Sequence, residues 1–266
     1  MYQTYWGFKK LPFENVADPR LFYRSAQHEE ALGRLLYAAK ARKGATMLIG
    51  DVGCGKTLIS RAFVLELASQ EKWEIALITH PTLSPNELLR EILYQLGINS
   101  PQKAKVDLLH SLNDVLIGNM EKEKHTVIMI DEAQAITDMN NFEELRLLLN
   151  FQLSESFLLT LILLGQLELE KKIAKIPALN QRIGLKYHLT GLNLHQVEEY
   201  VAFRLRAAGS ENNIFTKEAI NIIHKYSQGI PRKINNICDM SLLLGFSKKL
   251  ERIDSDIVVR LADEIR

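Results

Sequence analysis

Cysteine, proline and tryptophan are scarce in this chain, and neither sign of charge is in excess. The 266 residues include two cysteines, seven prolines and two tryptophans, and 33 basic residues balance 32 acidic ones to a net charge of +1. The two cysteines, Cys54 and Cys238, argue against a disulfide framework and fit a reducing cytosol. The balanced charge gives no sign of a nucleic-acid or membrane footprint at the level of composition.

Long apolar runs are also missing. The longest, near residues 157–165, is interrupted by Thr160 and is far shorter than the ~20 residues that a helix needs to span a bilayer. We interpret it as a buried strand. The first ten residues carry aromatic and polar side chains without the apolar core of a signal peptide. We therefore expect no membrane segment in this chain and a cytoplasmic location.

Short apolar runs alternate with longer amphipathic segments over the first two thirds of the chain. Near-continuous hydrophobicity is typical of parallel strands covered on both faces, and the alternation indicates βαβ units. The predicted strands occupy residues 45–49, 75–79, 127–130 and 158–164, with a fifth at 185–189. The predicted helices between them occupy residues 56–69, 85–96, 106–120 and 142–149.

After about residue 190 the pattern becomes helical throughout. Pro231 suits a first helical position because its missing N–H would have no partner there, and Thr216 and Asp254 are typical N-caps. The predicted helices occupy residues 194–207, 216–226, 231–245 and 254–265. We predict an α/β domain over residues 1–190 and a small helical domain over residues 191–266.

One segment matches the phosphate-binding pattern G-x-x-x-x-G-K-[ST]. It follows a predicted strand and opens a predicted helix, and this context argues against a chance match. Its glycines let backbone N–H groups face an anion, and the helix N-terminus adds a positive dipole end. The lysine offers a mobile charge to the β- and γ-phosphates, and the threonine a hydroxyl to Mg²⁺. The predicted nucleotide-binding residues are Gly50, Asp51, Val52, Gly53, Cys54, Gly55, Lys56, Thr57 and Leu58.

A later apolar strand ends in two carboxylates, Asp131 and Glu132. At the carboxyl end of a parallel strand Asp131 would lie beside the phosphate loop, where it and Thr57 would hold Mg²⁺. Glu132 is the candidate to orient and polarise the attacking water. Alone, a strand ending in Asp-Glu is equally well explained as a solvated strand end. Together with the phosphate loop it predicts an ATP-binding and ATP-hydrolysing protein.

These motifs and the helical last quarter resemble the AAA+ ATPases and, within them, the general secretion pathway protein A (ExeA-like) family. The resemblance covers nearly the whole chain and implies a P-loop AAA+ parallel-sheet sandwich followed by a small all-helical lid domain. The matching segments are Tyr5-Trp6-Gly7-Phe8, Leu11-Pro12-Phe13, Asp18-Pro19, Leu21-Phe22-Tyr23, Asp131-Glu132-Ala133-Gln134, Glu144-Leu145-Arg146-Leu147-Leu148, Gly165-Gln166, Glu168-Leu169, Gln181-Arg182-Ile183 and Gly229-Ile230-Pro231-Arg232.

The resemblance implies roles for three further residues. Gln166 ends the fourth strand, where AAA+ proteins place a polar sensor of the γ-phosphate; a turn residue is the alternative. Arg182 precedes the fifth strand, where related ATPases have an arginine finger that acts on the neighbouring subunit. Arg232 resembles the second sensor arginine, which contacts phosphates of its own subunit. Each arginine is otherwise a surface or salt-bridge residue. The predicted catalytic set is Lys56, Glu132, Gln166 and Arg182.

The sequence departs from the family at two positions. Cys54 stands where the family has a small residue such as threonine, and it is either a redox-sensitive group or an inert filler. His80 precedes a proline where the family has asparagine, and in AAA+ proteins a polar residue there restrains the catalytic glutamate. His80 or Thr79 could take that role, and a structural histidine is the alternative. The N-terminal aromatic segment either walls the nucleotide pocket or belongs to the core through Pro12, Phe13 and Tyr23.

We predict an ATPase that uses ATP and Mg²⁺ and forms a homo-oligomer on ATP binding. The resemblance implies a protein partner in type II secretion or pilus assembly. Family members continue into a membrane span and a peptidoglycan-binding part, so this chain is either an excised ATPase domain or a short relative. One alternative is a DNA-associated regulator of transposition, for which the chain offers the small basic clusters Lys171, Lys172 and Lys175 and Arg42 and Lys43; charge runs of this kind are usually solvated faces. Another is a nucleotide-dependent binding module with little turnover.

Overall fold

The structure is a computed structural model that describes residues 2–99, 104–153 and 156–264. It divides into two compact units. The α/β unit consists of His28–Gly50 and Lys56–Leu189. The helical unit consists of Met1–Gln27, Asp51–Gly55 and Thr190–Arg266. Each unit has its own hydrophobic core.

A parallel sheet forms the centre of the α/β unit. Its strands are β1 Ala45–Gly50, β2 Trp73–Ile78, β3 His125–Ile130, β6 Leu159–Gly165 and β7 Ile183–Leu189. Within the described residues the strand order is β2-β3-β6-β1-β7, and every neighbouring pair is parallel. A short antiparallel pair precedes β6 and consists of β4 Gln152–Leu153 and β5 Ser156–Phe157. Every residue of β1, β3 and β6 is buried, which explains why these strands are continuous apolar runs in the sequence.

Helices surround this sheet in chain order. They are α2 Ala26–Lys40, which begins two residues before the unit, α3 Lys56–Ala68, α4 Pro85–Gln95, α5 Lys105–Glu121, α6 Met139–Leu148, α7 Leu167–Ala174 and α8 Pro177–Arg182. A single 3₁₀ turn, Ala133–Ala135, follows β3. The start of α4 is strongly determined by local sequence, because Ser84 and Glu87 form a reciprocal capping box around Pro85.

The predicted parallel-sheet class is confirmed, and the elements that were missed have physical explanations. The predicted strand at 75–79 is displaced, since β2 begins at Trp73 and ends at Ile78. Helices α7 and α8 have eight and six residues, too short for the helical period to show in sequence. Helix α2 did carry a signal, because its buried side chains recur at helical spacing; they are His28, Ala31, Leu32, Leu35, Leu36, Ala38 and Ala39.

The helical unit is built on four longer helices that follow the sheet in sequence. Two short N-terminal turns, α1 Tyr2–Tyr5 and the 3₁₀ helix Pro19–Leu21, accompany α9 Leu194–Ala207, α10 Lys217–Ser227, α11 Pro231–Ser247 and α12 Ser255–Glu264. Pro231 is the first residue of α11, and Thr216 caps α10 by accepting from the Ala219 N–H. Asp254 accepts from the Ile257 N–H at 3.1 Å. These three predictions are confirmed, whereas the predicted end of the last helix at Ile265 lies outside the described residues.

The N-terminal segment belongs with the helical unit and not, as the predicted domain 1–190 has it, with the sheet. Trp6, Phe8 and Phe13 are buried in the core that Val201 and Ile234 of the helical unit also form. Large aromatic side chains gain most by burial in an existing apolar core, and the amphipathic helices α9 and α11 provide one. Of the two interpretations of Phe13, the structure supports a core residue.

A buried arginine ties this segment to α9. Arg204 donates from Nε to the Pro12 carbonyl at 2.7 Å and from Nη2 to the Glu14 carbonyl at 2.6 Å. Its Nη1 donates to the Tyr200 hydroxyl at 3.0 Å. Tyr23, further along the same segment, donates to Glu199 at 2.6 Å. Because a buried cation without partners is costly, these bonds specify where the segment must lie.

Across residues 2–99, 104–153 and 156–264, no helix has both the length and the apolar content that crossing a bilayer requires.

A buried histidine lies at the amino end of the sheet. His125 is only 4% exposed, and its Nε2 lies 2.9 Å from the Thr160 Oγ1. The Thr160 hydroxyl donates to the Lys43 carbonyl at 2.8 Å, so it accepts from His125 and the imidazole is the neutral Nε2–H form. Burial, and then the charge of Arg42, lower the pKa of His125 from 6.5 to about 4.

We predict that His125 makes the protein lose stability in mild acid. Below pH 6.5 the unfolded chain binds a proton that the folded chain does not, so stability falls until the pH reaches about 4. The expected loss between pH 7 and pH 4.5 is about 2–3 kcal/mol. Urea unfolding of His125→Gln should show a shallower pH dependence, whereas the exposed control His195→Gln should follow the parent. Equal slopes for the parent and His125→Gln would contradict this account.

Candidate active site

The phosphate loop joins two elements of the α/β unit. Strand β1 ends at Gly50 and α3 begins at Lys56. The Lys56 side chain is buried, and its Nζ donates to the Gly50 carbonyl at 2.8 Å. This bond holds the ammonium at the carboxyl end of β1, where the loop begins. The loop backbone has positive φ at Gly53 (+82°) and Gly55 (+107°), a conformation that glycine adopts without steric cost.

The middle of the loop, Asp51–Gly55, groups with the helical unit. Arg232, the second residue of α11, donates its backbone N–H to the Gly53 carbonyl at 3.2 Å. The backbones approach so closely that a Cβ on Gly53 would lie 2.5 Å from the Arg232 Cβ. The structure thus places Arg232 beside Gly53, and a contact of Arg232 with a phosphate stays a prediction. Cys54 is completely buried, which favours the inert-filler interpretation over redox sensing.

Asp131 lies at the carboxyl end of β3 and meets the start of α3. It is buried, with 3% exposure, and its carboxylate accepts from the Thr57 side chain and from the Glu132 N–H, the latter at 2.9 Å. The two residues predicted to hold Mg²⁺ are therefore in direct contact, although they come from distant segments. Lys56 is close enough to act electrostatically on the same carboxylate.

The donor set at Asp131 suits a hard divalent cation. Burial raises the pKa of the Asp131 carboxyl, against the lowering effect of Thr57, the Glu132 N–H and Lys56, so a bound cation would stabilise the ionised form. Hydroxyl and carboxylate oxygens are ligands that Mg²⁺ prefers. Among the described residues no group of three or more His, Cys, Asp or Glu could hold a metal ion. Thr57 and Asp131 therefore fit a Mg²⁺ ion whose remaining ligands are phosphate and water oxygens.

Glu132 is held in an unusual conformation. Its backbone is left-handed, with φ 52° and ψ 36°, which costs a non-glycine residue roughly 1–2 kcal/mol. Its Oε2 accepts from the Gln134 Nε2 at 2.5 Å and lies 3.4 Å from the Gln166 Nε2. His80 instead contacts its neighbour Thr79 at 3.1 Å. The side chains that restrain this carboxylate in the described structure are therefore the two glutamines.

Gln134 is the site residue that sequence reasoning missed. It belongs to the Asp-Glu-Ala-Gln segment and follows Glu132 by two positions, yet nothing in the spacing showed that its side chain turns back toward the carboxylate. The signal available was a long amide between two alanines, Ala133 and Ala135, immediately after the strand that supplies the carboxylates.

Arg182 directly precedes the strand at the edge of the sheet. It ends α8 immediately before β7, and its Nη1 is 3.4 Å from the Arg146 carbonyl near the end of α6. Arg146 itself pairs with Glu143 at 2.7 Å. The role of Arg182 as a finger concerns a second subunit and stays a prediction.

Comparison with known proteins shows the family to which the chain belongs. A family model described as an AAA domain matches residues 39–173, more than half of the chain, and the chain belongs to this family of P-loop ATPases. It is 37% identical over 256 residues to general secretion pathway protein A of Aeromonas hydrophila, covering 95% of this chain and 46% of that protein. The resemblance to that family is confirmed, and the chain spans about half of this relative's length.

Solved structures show the same fold at low identity. The ORC2 protein of Aeropyrum pernix, in ADPNP–ADP complexes, matches with a TM-score of 0.67 and 18% identity over 97% of this chain and 72% of that one. Cdc6p of Pyrobaculum aerophilum matches with a TM-score of 0.70 and 16% identity over 89% and 68%. At such identities the likeness shows the AAA+ fold alone.

We predict that Gly53→Ala destabilises the protein. An alanine at φ +82° is strained, and its Cβ would meet the Arg232 Cβ at 2.5 Å, so unfolding by urea should show a loss of roughly 1–2 kcal/mol or more. The matched control is Gly33→Ala in α2, where a Cβ meets nothing within 4 Å; it should gain about 0.5–1 kcal/mol. Equal stability of Gly53→Ala and the parent would show that the contact with Arg232 is absent in solution.

Proposed function

We propose that this chain is a Mg²⁺-dependent ATP hydrolase that acts as a homo-oligomer in the cytoplasm and serves a protein partner of a secretion or pilus system. The observation that carries the proposal is the hydrogen bond between Thr57 and Asp131. It joins the helix that follows the phosphate loop to the acidic end of β3, beside the buried Lys56. These are the groups that phosphoryl transfer from a nucleotide requires.

The placement of the residues supports the following roles. Lys56 and the loop N–H groups bind the phosphates, and Thr57 and Asp131 would hold Mg²⁺, which when bound neutralises charge on phosphate oxygens. Glu132 accepts a proton from a water whose oxygen bonds to the γ-phosphorus, while the bond from that phosphorus to the β-phosphate oxygen breaks and ADP leaves. The Gln166 amide lies at the same carboxylate, which supports its role near the γ-phosphate.

The proposed partner rests on similarity to general secretion pathway protein A. The match covers 95% of this chain and 46% of that protein, which supports a partner in a secretion system. DNA is less well supported, because Lys172 of the basic cluster donates to the carbonyls of Gln134 and Ile136 at 2.6 Å each. Only Lys171 and Lys175 of that cluster are exposed.

We predict that Glu132→Gln separates binding from hydrolysis. The amide preserves shape but cannot polarise water as a carboxylate does, so ATP affinity should stay within about threefold while turnover falls on the order of 10²-fold or more. Lys56→Ala should instead weaken ATP binding at least about tenfold, since a phosphate contact by a cation is lost. Nucleotide titration and steady-state turnover measure both.

The matched control for Glu132→Gln is Glu170→Gln, at an exposed position of α7, which should behave as the parent. Parental turnover in Glu132→Gln would assign the base to another residue. Binding without turnover in the parent itself would leave the chain a binding module.

We predict that Arg182 completes the active site of a neighbouring subunit. Arg182→Ala should bind ATP within about threefold of the parent yet lose on the order of 10³-fold in turnover, the usual contribution of a finger. Specific activity of the parent should rise with protein concentration as oligomers form. Mixing Arg182→Ala with Lys56→Ala should restore part of the activity, because some interfaces then join an intact loop to an intact finger.

The control for this experiment is Arg20→Ala, whose side chain is 86% exposed and whose loss should change nothing. The shared-site model is wrong if Arg182→Ala turns over normally, or if activity per subunit is the same in monomers and oligomers.

A further inference from the structure

Gln134 connects two residues of the site with one side chain. Its Nε2 lies 2.5 Å from the Glu132 Oε2, and its Oε1 lies 3.0 Å from the backbone N of Gln166. The orientation of the amide follows from chemistry. The Gln166 backbone N–H is a donor and needs an acceptor, so the amide oxygen faces it and the NH₂ group faces the carboxylate.

The backbone around Gln134 is anchored by a lysine from the next helix. Lys172 of α7 donates to the carbonyls of Gln134 and Ile136, at 2.6 Å each. Helix α7 begins at Leu167, directly after Gln166. The turn that carries Gln134 and the helix that follows Gln166 are therefore fastened to each other, and the side-chain bridge has little freedom to shift.

The last residue of β6 leaves room for the bridge. A Cβ on Gly165 would lie 2.8 Å from the Gln134 Oε1 and 2.8 Å from the Leu169 Cδ2. Any other residue at position 165 would push the amide away from the Gln166 N–H. Glycine is thus needed here for space, since the position is not one of positive φ.

We propose that Gln134 is a positioning residue that orients Glu132 and couples it to Gln166. This inference rests on the proposed function and assigns regulation within the same site. Glu132 receives amide donors from both Gln134 and Gln166, and Gln134 holds the Gln166 backbone. A ligand that displaces Gln166 therefore also displaces the carboxylate, so that the sensor of the γ-phosphate and the base move as one.

The substitution Gln134→Glu removes the NH₂ group that donates to Glu132 and keeps the length of the side chain and its acceptor oxygen. A glutamate keeps the length of glutamine and can still accept from the Gln166 N–H, but it places a second carboxylate against Glu132. A role in packing, or in holding Gln166 alone, would survive this change. The positioning role would not, because like charges at this distance repel.

The kinetic test compares Gln134→Glu and Gln134→Ala with the parent. Both should lower kcat at least about tenfold, since a misplacement near 1 Å costs up to ~10²-fold, while KM and ATP affinity stay within about threefold. The matched control is Gln95→Glu on α4, because Gln95 also donates to a glutamate, Glu91, at 2.8 Å but is exposed. That variant should keep parental kcat and KM.

A second measurement needs no nucleotide. Gln134→Glu should shift the unfolding equilibrium toward the unfolded state by about tenfold, because a bond to a charged group is replaced by repulsion. In the double variant Glu132→Gln with Gln134→Glu the donor and acceptor exchange places, so most of the stability should return. Urea unfolding of the two single variants and the double variant gives this coupling.

The results separate the two proposals. If Glu132→Gln keeps parental turnover, the proposed base is wrong, while the unfolding coupling still tests the link between Gln134 and Glu132. If Glu132→Gln is inactive but Gln134→Glu keeps parental kcat, the positioning role is wrong and Gln134 is structural. Additive stabilities in the double variant would likewise overturn the link. We expect Gln134→Glu to have a low kcat with unchanged KM, and the double variant Glu132→Gln with Gln134→Glu to regain most of the lost stability.

Discussion

The parallel register of three buried strands determines where the polar residues of this protein lie. In β1, β3 and β6 each strand runs in the same direction, with Ile49 beside Gly165 and Ile130 beside Leu163. The carboxyl ends therefore meet at one edge of the sheet. All three strands are wholly buried. A shift of register would therefore bring the polar residues at the strand ends into the core or leave apolar residues in water. The phosphate-loop lysine, the acidic pair and Gln166 share one location for this reason.

At that edge each charged side chain has polar partners. Asp131 is buried, yet it accepts from Thr57 and from the Glu132 N–H, and Lys56 donates to the end of β1. Glu132 is in a left-handed backbone conformation and is restrained by two amides. A residue held in a costly conformation by its surroundings is a common feature of catalytic sites. The glutamine bridge extends this restraint to the strand end where the γ-phosphate is expected.

The helical unit depends on a different constraint, the burial of Arg204. Its guanidinium donates to the carbonyls of Pro12 and Glu14, so an N-terminal segment lies on helices encoded almost two hundred residues later. The Trp6 indole reinforces this placement by donating to the Leu242 carbonyl at 3.0 Å. Backbone carbonyls accept these bonds regardless of side-chain identity, and no short-range pattern in the sequence indicates such a pairing.

The sequence by itself determined the parallel-sheet class, the phosphate loop and the positions of Asp131 and Glu132. These depend on local periodicity and on motifs whose residues are neighbours in the chain, so composition and spacing carry the information. The same holds for the starts of α10 and α11 at Thr216 and Pro231. Family resemblance added Gln166, which the structure places at the Glu132 carboxylate.

Only the tertiary structure decided which residues restrain Glu132 and which unit the N-terminus joins. His80 and Thr79 were equally good candidates by position, but Gln134 reaches the carboxylate because a 3₁₀ turn points its amide backward and Gly165 leaves space for it. Likewise, the segment Met1–Gln27 belongs to the helical unit because Arg204 donates to its backbone carbonyls and its aromatic side chains pack in the core of that unit. The contacts of Arg204 join residues almost two hundred positions apart, and the contact of Gln134 with Glu132 depends on a turn and on space left by a distant glycine, so the geometry of both exists only once the chain has folded.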